Sequence, residues 1–248
     1  MDLARSLHET KLPAQIDVIV HLAQANARFP EDAKELLAVN TNATQHLLDY
    51  GRRAGARHFV LASTGDVYGR PVGLSKETDP VAPASYYAVT KYAAEMLAQA
   101  YSDYLVPGVL RLFQPYGPGQ ANRLIPKLAN CIHQQRPIRI HKKDRPHMTP
   151  VYIDDVAIAI ERAIGCSYSG IVNIAGDRVV SLRELAEEMG RVLESQPVFE
   201  ETGEESADLM GDNGLMKQVF GKWEMVTLSD GLSRTLKGKE NTICRVRV

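Results

Sequence analysis

The sequence has only three cysteines among its 248 residues and no long apolar run. Three scattered thiols, at Cys131, Cys166 and Cys244, favour reduced cysteines over a disulfide framework. Their spacing matches no metal-ligand pattern, so we expect no metal site. No segment approaches the roughly 20 apolar residues that cross a bilayer, and the start has no apolar secretory core. We therefore expect a cytoplasmic protein outside the membrane.

An excess of charge of one sign is also missing. The chain has 29 Lys and Arg against 30 Asp and Glu, a formal net charge of -1. No global field therefore favours nucleic acid or an acidic membrane as a partner. The hydrophobic fraction of 44% is ordinary for a globular protein. This length suits one large α/β domain, or one domain with a smaller lobe.

Glycine is absent from residues 1–15, and no G-x-G-x-x-G or G-x-x-G-x-x-G pattern precedes the first predicted strand. Such a turn, at the N-terminus of a helix, holds the pyrophosphate of a dinucleotide. The glycines at Gly65, Gly69 and Gly73 lie in a later loop. The sequence pattern therefore provides no pyrophosphate turn before the first strand.

Strands alternate with long helices in the first half of the chain. Buried strands are predicted at 16–22, 57–63 and 106–113, and the 3.6-residue periodicity predicts helices at about 31–54 and 85–104. This alternation predicts a parallel sheet. Shorter elements follow, among them a helix to about Leu193 that starts at a capping box of Ser181 and Glu184. Asp154 or Asp155 is expected to cap an earlier helix.

Ligands on such sheets bind beyond the carboxyl ends of the strands, so the residues that follow each strand are site candidates. They are Ala23 and Gln24 after the first strand, Ser63 to Asp66 after the second, and Gln114 to Tyr116 after the third.

Tyr87 and Lys91 are four residues apart near the start of a predicted helix, so they share a face. A lysine ammonium beside a phenol stabilises the phenolate and lowers its pKa. A tyrosine tuned in this way can take a proton from an alcohol near neutral pH. The alcohol carbon can then release hydride to a nicotinamide. The alternative is an ordinary surface pair, because Tyr-x-x-x-Lys also arises by chance.

The context of this pair resembles the extended short-chain dehydrogenase/reductase family, which contains the NAD-dependent epimerases and dehydratases of nucleotide sugars. The matching segments, in order, are IDVIVHLAQ, VNTNATQHLLD, LASTGDVYG, ETDPVAP, SYYAVTKYAAE, RLFQPYGPGQ, TPVYIDDVAIAI, IVNIAGDRVVSLRELAE and FGKWEMVTLSDGLSRTL. They cover about residues 15–237, and together they are far more specific than any one of them.

The resemblance implies an α/β fold: a Rossmann-like parallel sheet, N-terminally truncated, with a smaller C-terminal α/β substrate lobe. Residues 1–120 would form a partial dinucleotide-binding core interleaved with 150–175. Residues 121–237 would be mainly the substrate lobe, and 238–248 a tail. By this alignment three strands of the family's sheet are missing, which would leave the strand at 16–22 as an uncovered edge.

The resemblance also implies roles for individual residues. Tyr87 would be the catalytic base, Lys91 its electrostatic partner and ribose anchor, and Thr64 the hydroxyl that positions the substrate oxygen; a turn-capping role is the alternative for Thr64. The implied cofactor contacts are Leu22, Ala23, Gln24, Asn40, Ala62, Ser63, Tyr87, Lys91, Gln114, Pro115 and Tyr116. The implied substrate contacts are Asp66, Gln114, Arg123, Arg145 and His147.

Three positions depart from the family pattern. Gln114 stands where the family usually has Asn. Gly65 follows Thr64 where sugar 4,6-dehydratases place the acid that protonates the leaving hydroxyl, which argues against dehydration. Met148 stands where many members place an arginine that grips the nucleotide diphosphate. Arg123, Arg145 and His147 are candidates to replace that arginine, and the alternative is that all three are solvated loop side chains.

The implied activity is NAD- or NADP-dependent epimerisation or oxidoreduction of a nucleotide-linked sugar by a homodimer, with helices 31–54 and 85–104 at the interface. Without the pyrophosphate turn, we expect residues 1–248 alone to bind the dinucleotide with millimolar affinity or more weakly, and so to show no measurable binding and no turnover at cofactor concentrations of about 100 µM. Two alternatives remain open. One is a non-catalytic remnant that binds a sugar nucleotide or a protein partner. The other is that the first residue lies within a longer gene.

Overall fold

A four-stranded parallel sheet lies at the centre of this computed structural model, which describes residue 3, residues 12–25 and residues 27–238. The strands are β1 (Val18–His21), β2 (His58–Thr64), β3 (Val106–Leu112), β4 (Pro115–Tyr116), β5 (Ile138–Ile140), β6 (His147–Met148), β7 (Val151–Tyr152), β8 (Gly170–Ile174), β9 (Val180–Ser181) and β10 (Phe199–Glu201).

Eight α-helices connect and cover these strands in the described residues. They are α1 (Ala33–Leu37), α2 (Ala43–Arg53), α3 (Tyr86–Ala100), α4 (Leu124–His133), α5 (Ile153–Gly165), α6 (Leu182–Leu193), α7 (Gly214–Phe220) and α8 (Leu228–Lys237). A π-helical segment, Ala38–Asn42, joins α1 to α2, and 3₁₀ turns form at Gly65–Tyr68 and Lys142–Asp144. None of the helices in the described part of the chain is long and apolar enough to span a membrane.

The order of strands in the main sheet is β1-β2-β3-β8, and every neighbouring pair is parallel. The carboxyl ends of the strands therefore lie along one edge of the sheet, which is where ligands bind in open α/β sheets. The predicted parallel sheet is confirmed. Among the described residues β1 pairs with β2 alone, and its side chains from Val18 to Val20 are half-buried.

The two faces of the sheet are covered by different helices. Phe59, Leu61 and Val109 pack with α2 and α3 on one face. Their neighbours Val60 and Leu110 pack with α5 and α7 on the other face. Successive side chains of a strand point to opposite faces, so a strand covered on both sides is apolar throughout. That burial explains why β2 and β3 appear as unbroken apolar runs in the sequence.

A further apolar cluster lies beyond the sheet and is built from residues between Tyr116 and Leu232, mainly on α4, α6 and α8. Helix α6 begins at the predicted capping box, which is confirmed: Ser181 Oγ accepts from the Glu184 amide at 3.1 Å, and Glu184 Oε2 accepts from the Ser181 amide at 2.8 Å. The proposed division into a core and a substrate lobe stays a prediction. Nearly all of the predicted tail, residues 239–248, lies outside the described residues.

The expected cap of α5 was wrong. The helix begins at Ile153 with Tyr152 as its N-cap, so Asp154 and Asp155 lie in its first turn. Asp155 is buried there and accepts from the Trp223 indole at 2.8 Å. A carboxylate in the first turn is favoured by the helix dipole whether or not it is the cap. The predicted start of the helix is therefore correct to within two or three residues, although the predicted cap is not.

Candidate active site

A cavity of about 390 Å³ opens at the carboxyl ends of β2 and β3. Residues that follow three of the sheet strands meet there, as predicted from the strand ends. The lining residues are Gln24, Ser63, Thr64, Asp66, Tyr87, Leu112, Gln114, Pro115, Tyr116, Gln120, Asn122, Arg123, Leu124, Ile125, Lys127, Met148, Pro150, Leu185 and Leu209.

Thr64 ends β2 and begins the 3₁₀ turn that follows. Its hydroxyl oxygen accepts from the Asp66 amide at 3.2 Å, which makes Thr64 the N-cap of the turn. The hydroxyl itself donates to Asp66 Oδ2 at 3.1 Å. Burial raises the pKa of Asp66, and the hydrogen bond from Thr64 partly offsets that rise. The turn thus brings a hydroxyl and a carboxyl group into the cavity side by side.

Tyr87 enters the cavity from the first turn of α3, which Ser85 caps by accepting from the Ala88 amide at 3.1 Å. The phenol donates to Gln24 Oε1 at 2.6 Å, so it contacts the loop that follows β1. Burial and the charge of Asp66 raise the pKa of Tyr87 to about 12, while Arg123 and Thr64 act to lower it. In this arrangement the phenol is protonated at neutral pH and acts as a hydrogen-bond donor.

Lys91 lies one turn further along α3, is 1% exposed and, unlike Tyr87, does not line the cavity. Burial lowers the pKa of Lys91 to about 8, and the carboxylate of Glu95 raises it. Lys91 also acts on His21 at the end of β1 and helps to lower the pKa of that imidazole to about 4, although burial is the larger cause. The sequence predicted that Lys91 lowers the pKa of Tyr87. In this structure Arg123 is the cation that does so.

The loop after β3 also lines the cavity. Gln114 has a φ of 43°, a left-handed conformation that Asn adopts more readily than Gln. Pro115 and Tyr116 then form β4, which pairs with β7. The side-chain amide of Gln120 donates to the Pro115 backbone carbonyl at 2.8 Å. All of these residues but those of β7 line the cavity, so this predicted segment lies next to Tyr87.

Part of the cavity lining is basic and part is apolar. Arg123 is the N-cap of α4, and Lys127 lies one turn later on the same face of that helix. Met148, Leu185 and Leu209 line the apolar side. Such a surface suits a ligand that carries both negative charge and a flat apolar group.

Several predicted site residues do not line this cavity. Asn40 is fully buried, and its side chain bonds the Ala25 amide and carbonyl at 2.8 and 3.1 Å and the Thr90 hydroxyl at 3.0 Å. Leu22 and Ala23 lie in the loop after β1, with Leu22 exposed, and Ala62 is buried within β2.

Arg145 and His147 are also outside the lining, and both contact Asp208. The carboxylate forms an ion pair with Arg145 Nη2 at 3.5 Å, accepts from the His147 backbone amide at 2.8 Å, and lies 3.3 Å from His147 Nδ1. Asp208 precedes Leu209, which does line the cavity.

Some residues near the site were not predicted. Lys127 follows Arg123 by four residues, and Glu95 follows Lys91 by four, so helical spacing could have indicated both. Gln120 and Asn122 lie in an irregular loop whose path no sequence periodicity indicates. Within the described residues, no three His, Cys, Asp or Glu side chains form a group that could hold a metal ion.

Comparison with known proteins identifies the family. The NAD dependent epimerase/dehydratase family matches residues 1–175, which is more than half of the chain. The chain belongs to this family. The resemblance drawn from segments such as LASTGDVYG and SYYAVTKYAAE is therefore confirmed.

Relatives of this family member include both epimerases and dehydratases. A UDP-glucuronate 4-epimerase of Thermodesulfobacterium geofontis is 29% identical over 241 residues, covering 91% of this chain and 73% of that protein. A dTDP-glucose 4,6-dehydratase of Streptomyces griseus is 30% identical over 234 residues, covering 89% and 70%. A Rhizobium meliloti protein named "Probable UDP-glucuronate 4-epimerase" is 34% identical over 158 residues, and that match spans 60% of this chain but only 46% of the relative.

Solved structures of the family share the fold. The UDP-glucuronic acid 4-epimerase from Bacillus cereus in complex with NAD superposes with a TM-score of 0.83 at 24% identity, covering 92% of this chain and 74% of that one. MoeE5 in complex with UDP-glucuronic acid and NAD gives a TM-score of 0.80 at 28% identity, covering 90% and 79%. The predicted Rossmann-like α/β fold is confirmed.

Proposed function

We propose that this family member is an NAD-dependent epimerase of a nucleotide-linked sugar, with Tyr87 as its catalytic base. The observation that carries this proposal is that the Tyr87 phenol and the Thr64 hydroxyl face one cavity at the carboxyl edge of the parallel sheet. The Thr64 hydroxyl also acts to lower the pKa of Tyr87, which is the effect that a group assisting a base must have.

The residues around Tyr87 fit the nicotinamide half of NAD or NADP. Gln24, Ser63 and the loop of Gln114 to Tyr116 line the cavity beside the phenol. The Lys91 ammonium is buried one turn from Tyr87 on α3, outside the cavity lining, and a ribose hydroxyl that reached it would be a favourable acceptor. When bound, the cofactor would supply the hydride acceptor and donor that inversion at a carbinol carbon requires. Leu22, Ala23, Asn40 and Ala62 stay proposed contacts, of which Asn40 acts through the loop it holds.

The side chains of the cavity would bind the sugar hydroxyl and accept its proton. Thr64 would hydrogen-bond the sugar oxygen and direct it at Tyr87. The side-chain oxygen of Gln24, Oε1, accepts a hydrogen bond from the phenol, and the substrate oxygen would replace it there. A positive charge brought near the phenol lowers its pKa from about 12, and Arg123 already acts in this direction.

Gly65 favours epimerisation over dehydration. Dehydration needs an acid that protonates the leaving hydroxyl, and the resemblance places that acid at position 65. A Cβ built on Gly65 would lie 2.5 Å from the Phe113 ring, which is fully buried. No side chain fits at this position unless Phe113 moves. Asp66 is the carboxyl group that remains in the cavity, and we assign it to substrate contact.

The two basic residues of the lining, Arg123 and Lys127, would bind the diphosphate of the substrate. Arg123 and Lys127 present two cations from one face of α4, next to the apolar surface of Met148 and Leu185. Arg145 and His147 are weaker candidates for the same role, because each would first have to leave Asp208.

We also propose that the protein is a homodimer. Val89 and Met96 lie seven residues apart on α3 and are 47% and 54% exposed, and Leu37 on α1 is 42% exposed. Apolar side chains on one helical face favour association. The helices predicted to form the interface thus present apolar surface.

A non-catalytic protein that binds a sugar nucleotide is the second candidate function. The pKa of Tyr87, about 12, favours this candidate because a base acting near neutral pH needs a lower value. Both candidates share the same cavity and differ in whether the bound sugar reacts.

One assay separates the two candidates. The protein is incubated with NAD in millimolar excess and, in turn, UDP-glucuronic acid, UDP-glucose or dTDP-glucose, and sugar protons are followed by NMR. We expect one of these sugars to be converted into an epimer that keeps the leaving hydroxyl. Loss of that hydroxyl would establish dehydration instead. Saturation transfer to a nucleotide sugar without any product would establish the non-catalytic candidate.

A further inference from the structure

A buried ion pair joins α3 to β3 close to the cavity. Arg111 Nη2 donates to Glu95 Oε2 at 2.7 Å, and Arg111 Nε lies 3.1 Å from Oε1 and 3.3 Å from Oε2. Both side chains are almost fully buried. The guanidinium also stacks over the Tyr68 ring at 4.7 Å, so the geometry of Arg111 is fixed from two sides. The Glu95 carboxylate is therefore held in one orientation.

The same carboxylate is linked to the proposed reaction centre in two ways, through Ser63 and through α3. Ser63 Oγ donates to Glu95 Oε1, and Ser63 is the cavity residue directly before Thr64. On α3 itself, Glu95 lies one turn after Lys91 and two turns after Tyr87, on one helical face. Its charge acts on the Lys91 ammonium. Glu95 thus connects the strand end that carries Thr64 with the helix that carries Tyr87.

We propose that Glu95 is a positioning residue, whose carboxylate, fixed by Arg111 and Ser63, keeps the Lys91 ammonium charged and aligned with Tyr87. This inference deepens the proposed function and rests on it for its catalytic meaning. The placement of Lys91 beside Glu95 is a property of the folded chain itself, so it can be tested without turnover.

Charge balance supports a role beyond packing. One buried carboxylate faces two cations, Arg111 and Lys91, and the guanidinium stays protonated because the pKa of arginine is above 12. If Glu95 lost its charge, Lys91 would be the cation that releases its proton. A buried ion pair kept for stability alone gains little, since apolar residues of similar volume often replace such pairs without loss.

The groups that bear on Lys91 come from several elements. The charge of Lys91 acts on His21 at the end of β1, and the charge of Glu95 on α3 acts on Lys91. His21 is neutral near pH 7 because its pKa is about 4, so Glu95 is the group that favours the charged form of Lys91. The other titratable groups on the elements packed against α3 are Asp66 and Tyr68 on the 3₁₀ turn, Arg111 on β3, His58 on β2, Lys34 and Glu35 on α1, and His46, Asp49, Tyr50, Arg52 and Arg53 on α2.

The test is a titration of Lys91 by NMR. Protein labelled with ¹³C at lysine Cε is titrated with pH, and the Lys91 signal is assigned by its loss in Lys91→Arg. The wild type should titrate near pH 8. Glu95→Gln should lower that midpoint by about one unit or more, the effect expected for removal of a close opposite charge. Glu95→Asp should restore most of it, and Glu161→Gln, an exposed glutamate on α5, should leave it unchanged.

A second variant removes the dependence on folding. Glu95→Gln leaves Arg111 buried without its partner and is expected to destabilise the fold, whereas Glu95→Gln/Arg111→Met removes both charges and should fold. Because the loss of the Arg111 charge itself raises the pKa of Lys91, the double variant is compared with Arg111→Met, which keeps Glu95, and its Lys91 midpoint should be the lower of the two. A midpoint near pH 8 in folded Glu95→Gln, or equal midpoints in Glu95→Gln/Arg111→Met and Arg111→Met, would overturn the proposal. A wild type that shows this titration but no turnover would contradict the proposed function and leave the placement of Lys91 intact.

Discussion

His21 combines burial with an ionisable ring, and this makes the stability of the protein depend on pH. It is 2% exposed, lies 3.1 Å from the Thr44 hydroxyl, and has its pKa lowered from 6.5 to about 4, first by burial and then by Lys91. Between these two values the unfolded chain binds the proton and the folded chain does not. Stability contributed by neutral His21 is therefore present above pH 6.5 and is lost as the pH falls toward 4.

Urea denaturation at pH 7 and pH 5 tests this coupling. At 1.36 kcal/mol per pKa unit, His21 should account for about 2 kcal/mol of the stability lost between these two pH values. His21→Gln should remove that part of the loss, while His46→Gln, an exposed histidine on α2, should retain it. An identical pH dependence in wild type and His21→Gln would show that the imidazole is not held neutral.

At the scale of elements, the π-helical segment between α1 and α2 is hydrogen-bonded to the loop after β1. It presents Asn40 inward, where the amide pairs with both backbone groups of Ala25 and with Thr90 on α3. One side chain thus ties a loop and two helices together. A single buried residue that satisfies this many polar groups is costly to remove, since each partner is left without a hydrogen bond.

We therefore predict that Asn40→Ala destabilises the fold by at least about 2 kcal/mol, as measured by urea denaturation. Asn42→Ala is the matched control because Asn42 lies in the same π-helical segment and is exposed, and it should change the stability by less than about 0.5 kcal/mol. Equal effects of the two substitutions would mean that the hydrogen bonds of Asn40 do not hold the loop.

Elements with a strong local signal were predictable, and long-range partnerships were not. Strands β1, β2 and β3 lie within the predicted ranges to about two residues because a strand covered on both faces must be apolar. The capping box of Ser181 was predictable because both partners lie within one helical turn. Arg145 and His147, by contrast, pair with Asp208 about 60 residues away. Helical spacing placed Lys91 and Tyr87 on one face without showing that Lys91 bears on His21 and Glu95.

At the scale of the whole molecule, the apolar face of α3 predicts association. Static light scattering should show a homodimer of the wild type at micromolar concentration. Val89→Lys/Met96→Lys places two charges on the proposed interface and should give a monomer. Val72→Lys, at a fully exposed valine in a loop, should remain a dimer. A wild-type monomer, or a dimer that persists in the double variant, would contradict the proposed interface.

The central claim is that the hydroxyl of Tyr87 moves the proton in epimerisation. Tyr86 offers a matched control, because it is the adjacent tyrosine of α3 and its ring stacks on Phe29 at 4.6 Å. Whichever nucleotide sugar the wild type converts with NAD in millimolar excess, the epimerisation rate is measured for Tyr87→Phe and Tyr86→Phe. We predict a loss of at least about 100-fold in kcat for Tyr87→Phe, the low end for removal of a general base, and a near-normal rate for Tyr86→Phe. Equal rates in the two variants, or no conversion of any nucleotide sugar by the wild type, would contradict the account.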